Sequence, residues 1–127
     1  MKILALIARL LLGLVFVVFG LNGFLDFMKA PLPTGLAGQF ITALAATHYV
    51  HVIFAIQLIC GILFLVGRYV PLALTLIAPV IVNILLFHGF MAPSGIAPGV
   101  VVTLLWIIVF IRNRSAFSGI FLAKAED

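Results

Sequence analysis

Charge is what this chain lacks most. Only 8% of its 127 residues are Asp, Glu, Lys or Arg, three of them acidic and seven basic, against roughly 25% in an ordinary soluble domain. So few charges cannot dress the surface of a water-soluble globule, and 66% of the residues are hydrophobic, with a mean hydropathy of +1.45. Composition therefore predicts an integral membrane protein in contact with a lipid bilayer. The net charge of +4 does not argue for nucleic acid, because the cations are scattered or terminal and form no basic stripe with interleaved aromatics. Cysteine is scarcer still. Cys60 stands alone inside an apolar run, which excludes an intrachain disulfide framework and a Cys-x-x-Cys relay. No Gly-rich phosphate loop and no histidine pair suited to a haem is evident, so no intrinsic cofactor is expected.

What is present is a series of long apolar runs. The opening "MKILALIARLLLGLVFVVFGLNGF" starts like a secretory leader. Its apolar part then runs past the usual ~7–15 residues, Arg9 interrupts it, and no small-x-small cleavage site follows where one would be expected. It reads as a retained first helix. Candidate spans cover about 3–25, 49–66, 71–90 and 96–111, each near the ~20 residues that cross a hydrocarbon core. The segment 35–47 is apolar but too short to cross, and Leu36, Phe40, Ile41 and Leu44 share one side at helical spacing. The expected fold is an all-α membrane protein: a single domain, 1–127, forming a four-transmembrane-helix up-down-up-down bundle. A short extracytoplasmic interfacial helix is inserted between the first and second spans. Lys2, Arg9, Arg68, Arg112, Arg114 and Lys124 fall on one side of this topology and only Lys29 on the other. Both termini are therefore expected in the cytoplasm, with "KAED" as a solvated tail. Pro71 suits the first turn of the third span, whereas Pro79 lies inside it and should bend it.

The polar side chains of the spans converge toward the other side. Asn22 and Asp26 close the first span, His48 and His51 open the second, and His88 ends the third; Gln57 and Asn83 lie deeper in the second and third. Polar groups within spans mark functional sites by default, so these residues are candidates to line an outer-leaflet pocket, with His88 as the best proton donor. A structural reading stands beside each. Asn22 and Asp26 can form a helix-end network with Lys29, Gln57 and Asn83 can hydrogen-bond between helices, and Asn83 can serve the backbone group that Pro79 frees. His48, His51 and His88 offer three imidazoles, but no Cys or Glu completes a coordination sphere and no metal is expected. Arg9 reads as a snorkelling anchor, Trp106 as core packing, and Cys60 as a buried thiol without redox duty.

The stretches "ARLLLGLVFVVFGLNGFLDF", "APLPTG" and "ICGILFLVGRYVPLALTLIAPVIVNILLFHGFMAPSG" resemble the DoxX family of small bacterial membrane proteins over roughly Ala8 to Arg112. The resemblance implies a four-helix inner-membrane protein associated with an oxidoreductase assembly and a redox partner protein, in some members one that reduces quinone. It also marks a departure. Where the family is expected to carry a glutamate, four residues before a glycine, this chain has Gln57 before Gly61, and glutamine can hydrogen-bond but cannot carry a proton. The first functional expectation is thus a membrane subunit that binds a quinone-like or other small amphipathic molecule. The alternative is a non-enzymatic binding, transport or assembly module, with homo-oligomerisation open.

Overall fold

A computed structural model describes residues 1–125. Glu126 and Asp127, the end of the acidic tail, lie outside the described residues. Five α-helices follow one another: α1 (Lys2–Leu25), α2 (Gly35–Ala46), α3 (Tyr49–Val66), α4 (Val70–Phe90) and α5 (Ile96–Arg112). Short 3-10 turns, Pro93–Gly95 and Arg114–Phe117, precede and follow α5. No strand occurs among the described residues. Four of the helices, counting α5 together with the turn that leads into it, are long and apolar enough to cross a membrane. The chain is a multi-pass membrane protein whose apolar helices face lipid. The helix limits lie within a residue or so of those read from the apolar runs, and α2 is the short helix expected after the first span.

The four long helices close into a ring. α1 packs against α3 and α5, α3 against α4, and α4 against α5, while α2 leans on α3. At the centre Leu12, Phe16, Cys60, Phe64, Leu74 and Ile77 are almost fully buried, joined from α5 by Val102 and Val109. Cys60 is a core side chain. Outward-facing Leu4, Ile7, Leu14, Leu72, Leu104 and Ile107 remain exposed, as befits side chains whose solvent is hydrocarbon.

The α1–α3 seam is built on glycine. A Cβ placed on Gly61 would lie 2.7 Å from the Val17 nitrogen, one on Gly13 would lie 2.9 Å from the Gly61 oxygen, and one on Gly20 would lie 2.9 Å from the Leu58 nitrogen. Backbone therefore touches backbone along much of the seam. Close approach of this kind drives helix association where no hydrophobic effect operates.

Pro79 falls inside α4 and leaves the carbonyl of Thr75 without its intrahelical donor. Asn83 does not serve that group, contrary to the expectation: its Nδ2 donates to the Pro79 oxygen at 2.8 Å. On the loosened turn Trp106 takes the neighbouring role. Its Nε1 reaches across from α5 and donates to the Leu74 oxygen at 3.0 Å, so Trp106 holds α5 to α4 by a hydrogen bond as well as by packing.

Alternation of the helices gives the molecule two distinct ends. The start of α1, the α3–α4 turn and the end of α5 form a basic end. The end of α1, α2, the start of α3, the end of α4 and the start of α5 form a histidine end.

Candidate functional site

The histidine end begins with the short joint between α2 and α3. Only Thr47 and His48 separate the two helices, so the chain must reverse sharply, and His48 adopts the left-handed conformation, φ 60°. A non-glycine side chain there costs about 1–2 kcal/mol. This conformation sets His48 beside His51, ring centres 5.2 Å apart, and His51 in turn faces Phe24 of α1 at 5.7 Å. Phe54 completes the corner against Phe24 at 6.4 Å. Its ring lies over Gly23, where any Cβ would fall 2.1 Å from it.

Within this aromatic corner the Nδ1 of His51 is buried with no hydrogen-bond partner. Buried polar atoms are nearly always paired, and an unpaired one costs roughly 1–3 kcal/mol. Gln57 lies about 9 Å further along α3 by the helical rise. It is a buried polar residue of the core, 7% exposed. The buried imidazole nitrogen of His51 can bond a carbonyl or hydroxyl that reaches this corner.

The other candidates are occupied locally. Asn22 accepts the Met28 N–H at 2.6 Å and donates to the Met28 oxygen at 3.4 Å, tying down the loop that leaves α1. Asp26 is exposed and left-handed, φ 51°, and its N–H closes α1 on the Asn22 oxygen at 2.8 Å. His88 lies with Nδ1 3.2 Å from the Ala92 oxygen. Its ring covers Gly95, where a Cβ would sit 2.9 Å away. His88 thus braces the turn into α5. Phe87 beside it stacks on Phe40 at 5.8 Å, which fastens α2 over this end of the bundle. Asn83 is exposed on α4, about 140° round the helix from His88.

Of the candidates, then, His51 and Gln57 share α3 and His48 stands at its N-cap, while Asn22, Asp26, Asn83 and His88 serve separate local bonds. The described residues contain no group of three His, Cys, Asp or Glu able to hold a metal ion. An open depression of about 540 Å³ runs between Leu32, Pro33 and the Gly38, Gln39 and Thr42 side of α2, and no candidate residue lines it. A second depression, of about 240 Å³, lies at the basic end. Its main lining residue, Arg9, read as a plain anchor in the sequence; its repeat with Lys2 on one face of α1 was the signal available. Comparison with protein-family models, curated proteins and solved structures gave no match.

Proposed function

We propose that the chain is a DoxX-like subunit of a bacterial inner-membrane oxidoreductase assembly, a four-span bundle with both termini in the cytoplasm and α2 on the extracytoplasmic face. In this reading it holds the polar head of a quinone-like or other small amphipathic molecule in the corner between α1 and α3. The observation that supports it is the buried, unpartnered Nδ1 of His51, set among Phe24, His48 and Phe54. His51 hydrogen-bonds the head group and is the side chain placed to exchange a proton with it. His88 yields that role, since its Nδ1 faces the Ala92 carbonyl. Gln57 bonds without carrying a proton, and the aromatic rings receive the apolar part. Electrons come from a partner protein.

The non-enzymatic reading, a binding or assembly module, is favoured by a different observation: Asn22, Asn83 and His88 all spend their polar atoms on nearby backbone. Titration of the purified protein with a short-chain ubiquinone separates the two readings. A saturable difference spectrum between oxidised and reduced ligand, lost in His51→Leu, carries the first. An inert spectrum together with saturable binding of lipid or partner carries the second.

A further inference from the structure

The depression at the basic end lies where α1, the α3–α4 turn and α5 meet. Lys2 and Arg9 come to it from one face of α1, two turns apart, and Arg112 and Asn113 come from the end of α5. Among the described residues no Asp or Glu lines it. Asp26, the one carboxylate among the described residues, closes α1 at the opposite end.

Arg9 is held in place by the fold. One terminal nitrogen of its guanidinium donates to the Phe64 oxygen in the last turn of α3. The group also lies against Gly67, which is left-handed at φ 71° and where a Cβ would fall 2.7 Å from it. Arginine carries five N–H donors in a fixed fork, and the rest of that fork is left to the depression. The helix ends add to the same sign. The first turns of α1 and α4 line it through Lys2, Ala5 and Val70, and helix N-termini favour anions. Of the opposing C-terminal carbonyls, Arg9 takes that of Phe64 and the Asn113 Nδ2 takes that of Val109 at 2.8 Å.

We infer that this cleft is a binding site for a phosphate-bearing anion, at a depth where the headgroup of an acidic phospholipid or a free phosphate can enter it. Arg9 supplies the fixed fork, and Lys2 and Arg112 close over the anion as mobile charges. The site is separate from the His51 corner and does not depend on what binds there.

The test uses the full chain in phosphatidylcholine nanodiscs, read by native mass spectrometry and thermal unfolding. Added phosphatidylglycerol is expected to be retained and to raise the unfolding midpoint. The double variant K2Q/R112Q is expected to weaken that retention about tenfold, the scale of a lost charge-assisted hydrogen bond. Both of its side chains are exposed, so it is chosen in place of Arg9→Gln, which would also strip Phe64 of its donor. Inorganic phosphate in the same nanodiscs distinguishes the sources. A midpoint shift with phosphate alone, absent in K2Q/R112Q, assigns a soluble anion; a shift only with phosphatidylglycerol assigns a lipid headgroup; both uphold the site. Equal retention by wild type and K2Q/R112Q overturns it, as does a response to neither probe.

Discussion

The two ends of this bundle handle polar groups in opposite ways. At the basic end one arginine is locked to α3, its neighbours in charge are exposed, and together they leave an unanswered positive field over a cleft. At the histidine end most polar side chains are consumed one by one in tying loops and helix ends, and what is left over is a single buried imidazole nitrogen, that of His51. Surplus polarity is thus a cationic surface at one end and an internal hydrogen-bonding vacancy at the other. The first suits a ligand arriving from the headgroup region; the second suits one arriving from within the bilayer.

Substitutions can break that contrast, beginning with the seam that spans both halves. Gly61→Ala forces a methyl group against the Val17 backbone, which cannot swing aside, and should cost about 1–3 kcal/mol. Gly89→Ala, at the histidine end with nothing within 4 Å of the added carbon, should be neutral or slightly stabilising. Equal unfolding midpoints in detergent for the two variants would show that the seam is looser than its geometry.

Arg9→Gln comes next. It removes the charged donor to Phe64 and should destabilise the bundle by about 1–2 kcal/mol, with Arg9→Lys recovering part of the loss. Full recovery by lysine in the same melts would reduce Arg9 to a charge without a shape.

The histidines sharpen the comparison within one end. His88→Leu should cost about 1 kcal/mol because the Ala92 carbonyl loses its neighbour. His51→Leu should leave stability unchanged or raise it, since a buried atom without a partner is removed, while abolishing ubiquinone binding. The reverse order of stabilities would return His51 to a structural role.

The smallest effect is at Asp26, whose left-handed backbone carries a side chain exposed at the end of α1. Asp26→Gly should stabilise by about 0.5–1 kcal/mol by relieving that strain, measurable as a modest rise in melting temperature. A fall would mean that the carboxylate itself holds the loop.

The spans, the short α2 and their order were legible because each rests on the length of an apolar run and on the turn residues that end it, Gly67 and Pro71 among them. The rotation of each helix about its axis was not. A helix that is apolar all round offers no periodicity to say which side is inner, so Asn83 could be read as facing inward when it lies exposed on α4. His51 and Gln57 were named from their depth and chemistry, but the partners of Asn22 and His88 lie in backbone that no residue type announces. Trp106 reads as packing from its mid-span position; its bond goes to the Leu74 carbonyl on a different helix, which no residue type announces.

The cleft at the basic end has a consequence in time. Lys2 and Arg9 are made before Gly67 and Val70, and Arg112 and Asn113 come after both, with the fourth long helix of the ring. The α1–α3 seam can close while α4 and α5 are still being synthesised, but the cleft does not exist until α5 docks and shuts the ring. An anion lodged there would clasp the first helix of the ring to the last, so that its residence marks a ring that has closed.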